Sequence, residues 1–143
     1  LPDAHCTPGA LNQGVTQENI QTTICKSGFT ATIRPPTSYT NPVKFQQMQE
    51  YGLTGPPIAY EEDHLVSLQL GGDPQDPKNL WPEAYAPEPG AREKDTLETA
   101  LKRQVCDGKR TLSDAQHLIA TNWLNGWDEL QATKATPTAN PVR

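Results

Sequence analysis

The chain has 143 residues, and its mean hydropathy is −0.69. That length suits one domain with its own core, and no apolar run approaches the ~20 residues of a membrane-spanning helix. Twelve basic and 17 acidic residues give a net charge of −5. This excludes a polybasic arm for gripping a polyanion but leaves room for a local basic face.

Fourteen prolines and ten glycines predict a loop-rich fold of short elements. Residues 1–15 carry two prolines and two glycines without periodicity and read as an extended N-terminal arm. Residues 16–25 follow with Ile20 and Ile24 at helical spacing, and Gly28 supplies a stop. In residues 29–34, Phe29, Ala31 and Ile33 alternate with threonines, which predicts a short strand ended by Pro35-Pro36. A helix is then expected from a Thr40 or Asn41 cap, with Pro42 in its first turn and Gly52 past its end. Phe45, Met48 and Tyr51 mark its inner side, leaving Lys44 and the glutamines exposed.

Residues 58–72 read as strand, turn, strand, residues 72–79 as loop, and residues 80–90 as irregular. A helix is expected over 91–106, with Leu97, Ala100, Leu101 and Val105 inward. Thr111 caps a last helix, with Leu118, Ile119, Asn122 and Trp123 inward. Trp81, Trp123 and Trp127 read as core or edge anchors. Residues 16–130 form the expected domain, and 131–143 a flexible tail.

The three cysteines, Cys6, Cys25 and Cys106, fit neither a zinc nor a CxxC redox spacing. They read either as three thiols or as one disulfide plus a free thiol in an exported protein. Cys25 and Cys106 both fall at predicted helix ends, so their pairing is preferred over Cys6–Cys25. The chain starts at Leu1 and has a single methionine, Met48. That is the pattern expected of a trimmed product, and secretion or a periplasmic location is the matching expectation.

The most informative stretch is Glu61-Glu62-Asp63-His64. Three consecutive carboxylates repel one another, and a metal ion or cationic partner would remove that cost. The run continues through Leu68, Gly71-Gly72 and Asn79-Leu80, with His64 and Asn79 fifteen residues apart (79 − 64). This composite resembles the HNH nucleases of the ββα-metal, or His-Me finger, group. The chain is similar over roughly residues 5–125 to small bacterial HNH-type proteins. The shared pieces are Cys25, Arg34-Pro35-Pro36, Tyr60 to His64, Asn79 to Glu83 and Lys94-Asp95.

The resemblance implies an α+β fold with a ββα-metal core and additional short helices. It also implies a metal-dependent endonuclease acting on DNA, or on RNA, with little sequence preference. His64 would be the general base, Asn79 would orient its imidazole, and Asp63 would ligate the metal. The family's helix usually adds a His or Asn ligand. Residues 91–106 contain neither, so Asp95 is the preferred partner of Asp63, and Lys94 would contact the scissile phosphate. A hard, oxygen-rich site favours Mg²⁺, with Mn²⁺ or Ca²⁺ as substitutes. The missing helix ligand also supports a second reading, a degenerate HNH-like binding module. On an ideal strand Asp63 and His64 point to opposite faces, so both reach one site only if the strand ends or bends there. Arg34 is open to two roles, pairing with the carboxylates or contacting phosphate.

Overall fold

A computed structural model describes residues 1–135. It is a mixed helical and β fold with one two-stranded antiparallel sheet. The elements are α1 (Phe29–Ile33), α2 (Thr37–Glu50), β1 (Tyr60–His64), β2 (Leu80–Ala84), α3 (Ala91–Cys106) and α4 (Leu112–Ala135), joined by short 3-10 turns. β1 pairs with β2 from Tyr60 opposite Ala84 to His64 opposite Leu80. Among the described residues no helix is long and apolar enough to cross a membrane.

The loop between the strands, residues 65–79, is unusual in being largely interior. Leu65, Val66, Leu68 and Leu70 are all essentially inaccessible and join the core with Trp81, Leu97, Leu101, Ile119 and Trp123. A buried loop must satisfy its backbone polar groups without water, and Asn79 does this here. Its Oδ1 accepts from Val66 N–H at 2.8 Å, and its Nδ2 donates to the carbonyls of Val66 (3.0 Å) and Asp73 (2.9 Å). Gly72 has no room for a side chain, because a Cβ there would overlap the Val66 carbonyl.

Several local expectations are corrected. Residues 65–72 do not form a strand: their apolar residues cluster rather than alternate and turn through a 3-10 segment, Leu68–Leu70. The partner of β1 is Leu80–Ala84, within the segment expected to be irregular. Residues 29–34 form a helical turn rather than a strand. Phe29 and Ile33 also stand at i, i+4, and Gly28 opens the turn at φ 83°. Helix α2 begins at Thr37, with its first turn closed on the Pro36 carbonyl, so Pro42 lies inside the helix instead of starting it. The carbonyl that Pro42 cannot reach belongs to exposed Ser38. On α2, Phe45 is exposed while Gln47 is buried, donating to the carbonyls of Pro77 and Leu80. Lys44 donates to the Tyr60 carbonyl at 2.6 Å. Residues 16–25 hold a 3-10 helix, Gln17–Thr22, instead of a longer α-helix.

α3 spans the expected residues. The Thr111 hydroxyl accepts from Asp114 N–H at the start of α4. That helix kinks at Asn122 and continues to Ala135, into the expected tail. The remainder of that tail lies outside the described residues. A disulfide joins Cys25 to Cys106 across 81 residues and ties the end of α3 to the segment before α1; Cys6 is free and exposed.

Candidate metal and nucleic-acid site

β1 is hydrogen-bonded to β2 along one edge only, and its other edge opens on a cleft of about 450 Å³. The cleft is bordered by Arg34 and Thr40 on one side and by Asp95 and Thr99 of α3 on the other. Because the strand edge faces the space, Glu61 and Asp63 from one face and Glu62 and His64 from the other all line it. His64 is also the last residue of the strand. This resolves how two successive residues reach one site.

The His64 ring nitrogen Nε2 lies 2.9 Å from the Pro74 carbonyl oxygen. A carbonyl can only accept, so Nε2 carries the hydrogen, and the neutral ring presents Nδ1 as a bare lone pair. Burial pushes the His64 pKa below its ordinary value, partly opposed by the Pro74 hydrogen bond and the Asp63 charge. The imidazole is therefore neutral and basic at pH 7.

One oxygen each from Glu61, Asp63 and Asp95 lies within 4.8 Å of the others. Glu83 stands directly across the sheet from Glu61, buried, with its Oε1 unpartnered. Burial first, and the Asp63 charge second, push Glu61 up to about 9 and Glu83 up to about 10. Burial likewise raises Glu62 to about 8, with Lys44 opposing. Asp95 is raised by burial and by Asp63. Glu61, Glu62 and Glu83 hold protons near neutral pH because too much negative charge is gathered in too little water.

Beneath this cluster Lys94 is fully buried. Its Nζ lies 2.7 Å from Asp63 Oδ2 and 2.7 Å from Glu98 Oε2, and it donates to the His64 carbonyl at 3.0 Å. Burial alone would lower its pKa, but Asp63, Glu98 and Glu83 together raise it. Glu98 is pushed up to about 7 by burial, against the pull of Lys94.

Two expected roles are corrected by this geometry. Lys94 does not reach a substrate: it has no exposed surface and its three partners lie inside the fold. Asn79 does not hydrogen-bond the His64 ring; its amide is committed to the backbone of residues 66 and 73. It acts on His64 through the loop that carries Pro74. The structure brings His64, Asp63 and Asp95 to the same cleft. Sequence reasoning did not single out Glu61 as a ligand. The available signal was strand alternation, which puts Glu61 on the same face as Asp63. The cross-strand approach of Glu83 needed the register.

Arg34 lines the cleft and, among the described residues, makes no ion pair. Among the described residues it is the only lysine or arginine bordering the cleft. His5 and His117 lie outside it, both exposed. Comparison with models of known protein families, with curated proteins and with solved structures finds no match.

Proposed function

We propose that the protein is a divalent-metal-dependent endonuclease with a ββα-metal core, hydrolysing phosphodiester bonds of DNA or RNA with little sequence preference. The observation that carries this reading is the shared cleft. A neutral histidine, with one nitrogen fixed on Pro74 and the other free, faces a space shared with three convergent carboxylates.

The donor set fits a hard divalent cation. Three carboxylate oxygens spread over 4.8 Å match the span of a Ca²⁺ shell, about 5 Å across. They need slight contraction for Mg²⁺, whose opposite ligands lie about 4.2 Å apart. Glu61, Asp63 through Oδ1, and Asp95 would hold the ion. A bound cation there supplies Lewis-acid stabilisation of the charge that develops on the phosphate and the leaving oxygen.

The remaining chemistry belongs to the chain. His64 Nδ1 takes the proton of the attacking water as its oxygen bonds to phosphorus and the bond to the leaving oxygen breaks. The Pro74 carbonyl holds the ring and stabilises the imidazolium that results. Arg34 binds a non-bridging phosphate oxygen from the opposite side of the cleft. Lys94 fixes Asp63 and the β1 carbonyl at His64, so it positions the site without touching the substrate.

The location that fits this activity is an oxidising compartment, periplasmic or extracellular. The Cys25–Cys106 disulfide supports it. One observation favours a second reading, a degenerate HNH-like binding module: Lys94 already supplies a cation inside the acidic cluster. Incubation of plasmid with the protein in Mg²⁺ or Mn²⁺, and in EDTA, separates the two. The nuclease reading expects nicking and linearisation that EDTA abolishes. An intact plasmid under every metal condition overturns it in favour of the binding module.

A further inference from the structure

The cleft does not end at Asp95. A second groove of about 460 Å³ continues from it between α3 and the last turns of α4, and Asp95 and Thr99 border both spaces. On α3, Asp95, Thr99 and Arg103 recur every four residues and form one exposed stripe. On α4, Leu130 and Lys134 form the facing stripe. Arg103 and Lys134 are both exposed and, among the described residues, neither enters an ion pair. Among the described residues Asp95, at the junction with the cleft, is the only carboxylate bordering this groove. Ala100 and Leu130 add apolar surface between the two cations.

We infer that this groove is a strand-binding track, in which Arg103 and Lys134 hold the phosphates of a single nucleic-acid strand a few nucleotides from the scissile bond in the cleft. The inference rests on the nuclease reading for the position of the cut, but the track itself is defined by continuity and charge. Eight helical residues separate Asp95 from Arg103, a rise of about 12 Å. That is the length of a few nucleotides of strand. The two unpaired cations lie outside the acidic cluster, where a polyanion needs attraction to offset the chain's net charge of −5. Ala100 and Leu130 offer apolar surface to sugars and bases without reading sequence. The preferred substrate is then a polymer, not a mononucleotide ester.

The test uses the whole chain with Arg103→Glu and Lys134→Glu combined, both exposed positions. Binding is read by anisotropy of a fluorescein-labelled single-stranded 12-mer in Ca²⁺ at two salt concentrations. Hydrolysis is read on the same oligonucleotide and on bis(p-nitrophenyl) phosphate in Mn²⁺. The expected result is binding weakened about tenfold or more, with the salt slope reduced by about 1.4, the share of two phosphate contacts on a single strand. Oligonucleotide KM should rise while hydrolysis of the small diester stays at the parent's level, and Arg103→Lys with Lys134→Arg should restore binding. Unchanged 12-mer affinity in the charge-reversed protein overturns the track, as does a parent that does not bind the 12-mer. A parent that binds the 12-mer through these residues but hydrolyses neither substrate leaves the track standing and refutes the nuclease reading.

Discussion

Lys94 of α3 places its ammonium 2.7 Å from Asp63 Oδ2 of β1, with both side chains shut away from solvent. This pair joins the helix to the strand at the depth of the acidic cluster. It also sets the side of Asp63 that remains for a ligand. A buried pair of this kind contributes little net stability compared with an apolar substitute, but breaking it strands a charge. Lys94→Ala should therefore cost about 3–5 kcal/mol in urea or guanidinium unfolding. A loss below about 1 kcal/mol would show that the cluster is adequately neutralised without Lys94.

Asn79→Ala tests the loop. Three hydrogen bonds to the buried backbone of residues 66 and 73 are lost together. Leaving buried donors and acceptors unpaired costs about 1–3 kcal/mol each where water cannot enter. The expected outcome is a destabilised protein in which the Pro74 carbonyl is no longer held against His64. Activity per folded molecule should fall as well. A variant with parental melting temperature and parental activity would contradict this role.

The pH dependence of stability follows from the carboxyls. Glu61, Glu62 and Glu83 keep their protons in the folded chain up to about 9, 8 and 10, against an ordinary value of 4.5. Between those limits the folded state binds more protons than the unfolded state, so stability falls as pH rises. His64 works in the opposite sense only below its ordinary value of 6.5, so the decline is clearest above pH 7. In EDTA the melting temperature should drop from pH 7 to pH 9. Millimolar Mn²⁺ should reduce the drop, because a cation compensates the same charge as the protons. A melting temperature that is flat or rising over that range in EDTA would contradict the account of the cluster.

Asp95→Asn separates the cation from the fold. Asp95 is exposed, unlike Asp63, and does not pair with Lys94. Calorimetry with Mn²⁺ should show affinity lower by about tenfold or more than in the parent, with an unchanged melting temperature in EDTA. Equal Mn²⁺ affinity in variant and parent would remove Asp95 from the ligand set.

Reduction of the disulfide probes the outer frame. Closing an 81-residue loop restricts the unfolded chain by about 4 kcal/mol. Cys25→Ser with Cys106→Ser should lose a comparable amount in denaturant unfolding, while Cys6→Ser should lose nothing measurable. Equal stability of the double variant and the parent would show that packing of Leu101 and Val105 alone secures the end of α3.

The sequence was most legible where side-chain period and end signals agreed. α3 has both an apolar stripe and a glycine at each flank, and its limits were readable. The disulfide was readable from two expected helix ends, of which the structure keeps Cys106 at the end of α3, while Cys25 lies three residues beyond the 3-10 helix Gln17–Thr22. β2 was not readable, because Pro82 and the prolines after Ala84 mask a strand that places apolar Trp81 and acidic Glu83 on one and the same face, so polar and apolar residues do not alternate along it. α1 was misread because five residues satisfy a two-residue and a four-residue period equally well. His64, Asp63 and Asp95 could be named from a motif. The burial of Lys94 and the commitment of Asn79 to the loop could not, because both depend on which backbone atoms the loop brings close. A lysine beside an aspartate on a helix looks the same in sequence whether it faces solvent or the core.

His64→Ala distinguishes the base of a metal-dependent phosphodiester hydrolysis from a histidine that only satisfies a hydrogen bond at the strand end. Cleavage of plasmid in Mn²⁺ should be compared at equal concentrations of folded parent and variant, with circular dichroism and melting temperature recorded for both. If His64 is the base, the rate falls by about 10²–10⁴ in a variant that stays folded and binds Mn²⁺ as the parent does. Parental cleavage by the folded variant would contradict it.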